Sequence, residues 1–312
     1  MALTPGSTVL VTGGCGFIGT NLGRALSERG CRLVAFDNLS SGSQADAARS
    51  GYADVVVGDI RDAEAIAKAA QDADYVVHLA AQTGVIPSIQ DPRSDVETNV
   101  GGTLNTLLAA RDAGVDGFVF ASSNAPLGSV QPPSREDLPA RPLSPYGASK
   151  LAGEGLVSAF AGSYGLRTAT LRFSNVYGPF SYHKGSVVAL YFKCLAEQTP
   201  LVVYGDGTQT RDFVYVEDLC LGIAAALEGD VAGETFHLGT GTETTINDLV
   251  ALLQKLYDDR DIVVEYRPAR DGEIHRNFSD ITKARTVLGY DPHTALVDGL
   301  AATRAWFEGG GV

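Results

Sequence analysis

Short apolar runs alternate with longer stretches through the first half of the chain. The runs predict strands, and they cover residues 8–12, 32–36, 55–57, 75–79, 117–121 and 166–172. The intervening stretches favour helices, most clearly at 18–29, 92–113 and 146–164. Apolar strands that alternate with helices are typical of a parallel, doubly wound sheet, so the expected fold class is α/β.

The second half of the chain is less regular, because prolines and glycines interrupt it. These breaks fall at Pro179, Gly185, Pro200, Gly205 and Gly207. Helices are still predicted at 186–198, 217–228, 246–257 and 296–307. We expect two domains. Residues 1–175 would form the sheet domain, and residues 176–312 a smaller α+β region over its open edge, with some segments returning to the sheet.

Composition excludes several classes of protein. The 312 residues carry a formal charge of -13, which argues against a nucleic-acid partner. The four cysteines lack the paired short spacing of zinc or disulfide frameworks, so no metal is expected. No basic, apolar leader opens the sequence, and no apolar run approaches membrane-spanning length. We therefore expect a cytoplasmic protein without a membrane partner.

A glycine-rich turn follows the first predicted strand and opens the first predicted helix. Gly13, Gly16 and Gly19 have the spacing that lets backbone approach a pyrophosphate and lets the helix pack near the strand. Asp37 ends the second strand, where a carboxylate accepts ribose hydroxyl groups and repels a 2′-phosphate. The predicted cofactor is NAD rather than NADP. The alternatives are a glycine turn without a ligand and a solvated loop acid.

Other strand ends extend this predicted cofactor site. Asp59 and Ile60 would flank the adenine at the end of the third strand. The exit of the fourth strand would lie along the cofactor with Leu79, Ala80, Ala81 and Gln82. Asn99 is a polar residue in a mostly apolar helical stretch, and a surface or capping role for it is an equal alternative.

Tyr146 and Lys150 are four residues apart on a predicted helix and therefore share one face. An ammonium group one turn from a phenol favours the phenolate, so Lys150 is expected to lower the pKa of Tyr146. Ser122 and Ser123 end the strand that precedes this helix. The set predicts a tyrosine base beside a nicotinamide cofactor.

With these motifs assembled, the chain resembles the extended short-chain dehydrogenase/reductase family, and most closely its nucleotide-sugar 4-epimerases. The resemblance extends to the motifs at 172–179, 204–214 and 270–273. It implies a Rossmann domain over residues 1–175, a substrate region over 176–312 and a homodimer formed by helices near 92–113 and after Tyr146. Tyr146 would take a proton from the sugar C4 hydroxyl, Lys150 would hold the nicotinamide ribose, and Ser123, rather than Ser122, would bind the same hydroxyl.

The resemblance also implies where a UDP-sugar would bind. Arg211 and Arg270 would hold the diphosphate beside Asn175, Tyr204 would stack on the base, and Glu273 would accept from a ribose hydroxyl. Further substrate contacts are implied for Thr83, Ser123, Asn124, Ser174 and Val188. Further cofactor contacts are implied for Phe17, Ile18, Asn38, Ser41, Gly42, Ser122 and Val176.

Two segments depart from the family pattern. Related 4,6-dehydratases carry an Asp-Glu pair where this chain has Asn124 and Ala125, so water elimination is disfavoured. The usual Val-Tyr-Gly is replaced by Pro126-Leu127-Gly128, which changes the expected sugar pocket. Many relatives that act on UDP-glucuronate, and some that act on hexoses, carry an arginine near Ile86-Pro87, and its absence here mildly disfavours a uronate.

Several functions remain open on the sequence. UDP-glucose and UDP-galactose are the expected substrates of a 4-epimerase, and UDP-glucuronate is the alternative. Ser123, Asn124 and Ser174 could bind its carboxylate, with charge from His183 or Lys184. An NAD-dependent reductase and a non-catalytic NAD-sensing protein are the other candidates.

Overall fold

The computed structural model describes residues 3–269 and 274–309. The strands, in chain order, are β1 (Thr8–Thr12), β2 (Arg32–Asp37), β3 (Asp54–Val57), β4 (Tyr75–His78), β5 (Gly117–Ser123), β6 (Thr168–Phe173), β7 (Asn175–Tyr177), β8 (Leu201–Tyr204), β9 (Thr210–Arg211), β10 (Phe213–Tyr215), β11 (Glu234–Leu238), β12 (Thr244–Thr245) and β13 (Val264–Arg267).

The helices, in chain order, are α1 (Phe17–Ser27), α2 (Gln44–Arg49), α3 (Ala63–Ala70), α4 (Val85–Gln90), α5 (Pro92–Val96), α6 (Thr103–Ala113), α7 (Pro145–Tyr164), α8 (Val187–Glu197), α9 (Val216–Glu228), α10 (Ile246–Leu256) and α11 (Leu296–Glu308). A π-helical turn, Glu97–Gly102, joins α5 to α6, and a second lies at Ala284–Leu288. A short 3₁₀ turn spans Ala125–Leu127.

A seven-stranded sheet in the order β3-β2-β1-β4-β5-β6-β11 forms the centre of the molecule, and every pairing in it is parallel. Val11 lies opposite Ala35 on one side and Val77 on the other. The order reverses at β1, which is the point where doubly wound sheets bind ligands. The predicted α/β fold is confirmed.

Both faces of the sheet are buried, as the continuous apolar strands require. Val9 and Val11 pack on one face with residues of α1 and α9, including Leu22 and Ile223. Leu10 points to the opposite face and packs with residues of α3, α6 and α7. Successive residues of a strand alternate between faces, so one apolar strand serves both layers.

The C-terminal half builds a second core over the sheet edge. Residues of α8, α10 and α11 pack together with β8, and the short strands pair as β7 with β10, β9 with β12, and β8 with β13. β11 returns to the central sheet beside β6, and α9 packs against α1. The division between residues 175 and 176 stays a prediction, and β11 is a segment of the second half that lies in the central sheet.

Within the described ranges, the longest apolar helices fall short of what a membrane crossing would need.

Candidate active site

The turn between β1 and α1 can be formed only by glycine at two positions. Gly13 adopts a φ of 71°, and a Cβ there would lie 2.8 Å from the backbone nitrogen of Ala80. A Cβ on Gly19 would overlap the carbonyl oxygen of Gly13. The chain therefore keeps a shallow cradle against the exit of β4, where any side chain would fill the space.

The start of α1 suits an anion. Gly16 caps this helix without a side-chain hydrogen bond, and its first turn contains no acidic residue. The first amide groups of a helix lack intrahelical partners and form the positive end of its dipole. Phe17 and Ile18 begin the helix at this point, so the cradle fits the pyrophosphate of a dinucleotide.

Asp37 lies beside this turn and is not a solvated loop acid. Its carboxylate is 8% exposed and accepts hydrogen bonds from the backbone nitrogen of Cys15 at 3.0 Å and of Leu39 at 2.8 Å. Burial raises its pKa. The side chain thus stabilises the glycine turn while it lies at the strand end that the sequence predicted for a ribose contact.

The neighbouring strand end carries a second acid. Asn38 donates to Asp59 at 3.0 Å, and Arg61 holds the same carboxylate at 2.8 Å, which keeps the pKa of Asp59 well below its usual range. Ile60 is buried against Gly102, and Ser41 and Gly42 lie on the loop after β2. The predicted adenosine residues are therefore gathered at one edge of the sheet.

Asn99 lies in the π-helical turn and is 2% exposed, so a surface or capping role for it is wrong. Its amide donates to the carbonyl oxygen of Gln82 at 3.0 Å and to the hydroxyl of Ser149 at 3.1 Å, and it accepts from the Gln82 backbone at 2.8 Å. It also donates to Asp95 at 3.0 Å. Asn99 thereby joins the exit of β4 to α7.

Asp95 lies beside Asn99 and was not among the residues predicted for the site. It is fully buried, and its spacing of four residues from Asn99 is the signal that could have identified it.

The start of α7 places Tyr146 opposite Ser123. Ser144 caps the helix by accepting from the Gly147 backbone at 3.1 Å, with Pro145 at the first helical position. The hydroxyl of Ser123 lies close enough to the phenol of Tyr146 to lower the pKa of that phenol. The structure therefore places the phenol and the strand-end hydroxyl near each other, and their joint role in one site stays a prediction.

Ser122 points the other way, because side chains alternate along a strand. Its hydroxyl donates to Glu154 at 2.6 Å, and Glu154 forms a buried ion pair with Arg172 at 2.7 Å. The hydroxyl of Ser122 is therefore engaged by Glu154. The choice of Ser123 over Ser122 as the partner of Tyr146 agrees with the geometry, and a cofactor contact by the Ser122 side chain does not.

The expectation that Lys150 lowers the pKa of Tyr146 is wrong for the chain by itself. Burial raises the pKa of Tyr146 to about 12, against a smaller lowering by Ser123. Lys150 is 4% exposed and donates to the carbonyl oxygen of Ala121 at 2.8 Å, and it is not among the groups that shift the pKa of Tyr146. Burial also lowers the pKa of Lys150 to about 8.

Asn124 is tied to the C-terminal half. Its amide nitrogen donates to Ser279 at 3.0 Å, and its amide oxygen lies 2.9 Å from Nδ1 of His237 on β11. Ser279 in turn lies 3.2 Å from the hydroxyl of Ser174, which donates to the buried Asp212 at 3.3 Å. The segment after Ser123 is therefore fixed by a polar chain rather than left free in the cleft.

The predicted substrate residues are only partly brought together. Arg211 on β9 donates to the carbonyl oxygens of Thr210 at 2.7 Å and Ile274 at 2.9 Å. Tyr204 ends β8, and Asn175 begins β7 beside the partly exposed Ser174. Thr83 is exposed just beyond Gln82.

The remaining predictions concern Val188, Val176 and the pair Arg270 and Glu273. Val188 is 1% exposed in the C-terminal core, so a contact between its side chain and substrate is not supported. Val176 is buried on β7, and its carbonyl oxygen accepts from Lys184 at 2.7 Å. Arg270 and Glu273 lie outside the described residues.

The fold and site together define a protein that binds a dinucleotide at the carboxyl edge of a parallel sheet, with a phenol, a hydroxyl and an ammonium group beside it. The model of the NAD dependent epimerase/dehydratase family matches residues 9–239. The chain therefore belongs to this family, and its cofactor is NAD, as the sequence predicted.

Individual relatives agree on the class but differ in activity. The chain is 38% identical to a putative UDP-glucose 4-epimerase of Methanocaldococcus jannaschii, over 96% of this chain and 98% of that protein. It is also 35% identical to a dTDP-glucose 4,6-dehydratase of Streptomyces antibioticus, over 96% and 92%. The solved UDP-glucose 4-epimerase of Thermus thermophilus in complex with NAD superposes with a TM-score of 0.89 at 33% identity, covering 97% and 99%. A nucleotide-sugar epimerase or dehydratase is thus supported, whereas the substrate is not.

Proposed function

We propose that this protein is an NAD-dependent UDP-sugar 4-epimerase, with UDP-glucose and UDP-galactose as its first substrate pair. The observation that carries the proposal is the position of Asn124 directly after Ser123. The 4,6-dehydratases that the chain resembles need an acid and a base there to remove water. Here an amide bound to His237 and Ser279 and the methyl group of Ala125 occupy those places, and neither exchanges a proton.

The residues of the site divide the reaction between them. Tyr146 takes the proton of the C4 hydroxyl, and Ser123 holds the same oxygen as it becomes a ketone. NAD, when bound, would supply the hydride acceptor for C4. Tyr146 returns its proton after the sugar turns its other face, so neither oxidant nor reductant is consumed.

A hexose fits the polar chain beneath the cleft better than a uronate. Ser174, one of the hydroxyl groups available to a sugar carboxylate, already donates to the carboxylate of Asp212 at 3.3 Å. Asp212 is 1% exposed and accepts from Thr240 at 2.7 Å and Gly241 at 3.1 Å. A second carboxylate near Ser174 would face like charge in a buried environment, which is unfavourable. UDP-glucuronate is therefore the alternative rather than the first choice.

The test follows a deuterium atom at C4. The purified protein is supplied with NAD and with UDP-galactose, UDP-glucuronate or dTDP-glucose, each carrying deuterium at C4, and the products are resolved by chromatography and NMR. A 4-epimerase gives the C4 epimer with deuterium still at C4. A 4,6-dehydratase instead moves the label to C6 of a 4-keto-6-deoxy sugar, and a dehydrogenase transfers it to the cofactor.

UDP-galactose is expected to give UDP-glucose with the label retained. Migration of the label to C6, or conversion of UDP-glucuronate alone, would contradict the first choice of substrate. A sample with Tyr266→Phe, which changes an exposed tyrosine on β13, serves as the active control.

We also propose a homodimer formed by the helical stretch from α5 to α6 together with α7. Val96 is 49% exposed, Leu104 is 37% exposed and Tyr164 is 56% exposed on these elements. Apolar side chains of this size at the surface of packed helices favour a second copy, because isologous dimers are the commonest assembly. Sedimentation of the wild type as a dimer and of Val96→Glu as a monomer would support this interface.

A further inference from the structure

We propose that Asp95 is a positioning residue of the active site, whose buried carboxylate is the counter-charge that keeps Lys150 an ammonium group. The proposal rests on the proposed function only in assigning Tyr146 and Lys150 to the reaction.

The environment of Asp95 is unusual for an acid. It is 0% exposed, and one carboxylate oxygen accepts from Asn99 at 3.0 Å. The other oxygen has no hydrogen-bond partner among the residues that the structure describes. A buried carboxylate without full hydrogen bonding is costly unless a nearby positive charge offsets it. Asn99, which donates to Asp95, also donates to Ser149, the residue before Lys150, so the acid lies on the Lys150 side of this network. Its charge raises the pKa of Lys150 against the lowering by burial.

The other charges around Lys150 cancel one another. Glu154 on α7 is held by Arg172 of β6, with both side chains under a tenth exposed. His78 on β4 faces the lysine and is neutral, because burial and Lys150 lower its pKa to about 3. Tyr146 is a neutral phenol until it ionises. Asp95 and Lys150 are then the remaining opposite charges, so the buried site is neutral as a whole.

This neutrality persists through the proposed reaction. NAD bound beside Tyr146 would add one positive charge, which an ionised Tyr146 would cancel. Among the residues that the structure describes, the charge of Lys150 would then still be left to Asp95, because Glu154 is paired with Arg172. Without Asp95 the site would carry an extra positive charge in a low dielectric, and Lys150 would lose its proton more readily.

Asp95 also acts on position through Asn99. Asn99 bridges Gln82 at the exit of β4 to Ser149, the residue before Lys150. The hydrogen bond from Asn99 to Asp95 fixes the orientation of the Asn99 amide. Asp95 therefore restrains both the exit of β4 and helix α7, which border the cofactor site. Charge and restraint are separable, because Asp95→Asn removes the charge and still offers an oxygen to Asn99.

The experiment is an NMR titration of protein labelled at lysine, where the six lysines of the chain give a simple spectrum and Lys150→Arg identifies the resonance. Lys150 in the wild type is expected to titrate near pH 8. Asp95→Asn should move this midpoint down by about one unit. Asp218→Asn, which neutralises an equally buried acid on α9, should leave it unchanged.

Asp95→Ser is the second variant, because it is smaller and can still accept from Asn99. In both Asp95 variants the alkaline limb of kcat should move to lower pH together with the titration. An unchanged Lys150 midpoint in a folded Asp95 variant, whatever its stability, would overturn the proposal. A shifted midpoint in a protein that does not epimerise any sugar would sustain the role of Asp95 and reject the proposed function instead.

Discussion

The two walls of the cleft are built in different ways. On the cofactor wall, Asp37, Asp59 and Gln82 follow directly from the ends of parallel strands in one sheet. On the substrate wall, Arg211 comes from a two-residue strand and Ser174 lies between two others. Residues of the first kind are positioned by the sheet itself, whereas those of the second kind depend on polar contacts between separate segments. Variants that act on one wall alone can test this difference.

The largest effect is expected at Tyr146, between the cofactor wall and the substrate wall. Tyr146→Phe removes the proton acceptor and keeps the ring, so kcat should fall by at least about 100-fold. NAD and UDP should both bind as they do to the wild type, because the two walls are intact. Turnover assays and calorimetric titrations check the two statements separately. Retained turnover would remove Tyr146 as the base.

Next in size is the buried ion pair beneath the cofactor wall. Glu154→Gln leaves Arg172 charged and buried without its partner, so the free energy of unfolding should fall by about 3 kcal/mol. Glu265→Gln breaks an exposed pair with Arg267 in the C-terminal half and should cost less than about 1 kcal/mol. Urea denaturation of both variants measures the contrast. Equal losses would show that the sheet does not bury this pair as described.

A smaller effect is expected on the substrate wall. Arg211→Met removes a guanidinium that is held at two backbone carbonyls, and it should weaken UDP binding by about 2 kcal/mol, or ~30-fold in Kd. NAD affinity should not change. Arg260→Met, at a more exposed arginine of the same half, is the control. An equal loss of NAD affinity would argue against separate walls.

The smallest effect is expected at Asp37. Asp37→Ala removes the carboxylate that repels a 2′-phosphate, so the preference for NAD over NADP should fall by about tenfold while UDP affinity stays the same. Fluorescence titration with both dinucleotides measures the ratio. A ratio unchanged from the wild type would leave Asp37 only its contacts with Cys15 and Leu39.

These differences also explain which parts of the fold and of the site could be predicted from the sequence. The sheet and the glycine turn follow from strand periodicity and from glycine spacing, which are local properties, whereas the choice of Ser123 as the partner of Tyr146 was implied by the family resemblance. The direction of Lys150 toward Ala121 and the contacts of Asn124 with His237 depend on segments far apart in the chain. Asp95 was missed because an acid in the short, mostly polar helix α5 gives no sign of its charge partner until the helices are packed.

The position of β11 has a consequence for how the protein is made. β6 pairs with β11 along its outer side, with Leu171 opposite Phe236, so this side of the sheet stays open until the chain has grown beyond residue 238. The glycine turn, Ser123 and Tyr146 have all left the ribosome well before that point. The growing chain therefore passes through a stage with an unpaired apolar edge, and such edges invite association with other chains. Chaperone protection during synthesis should matter most between residues 173 and 238.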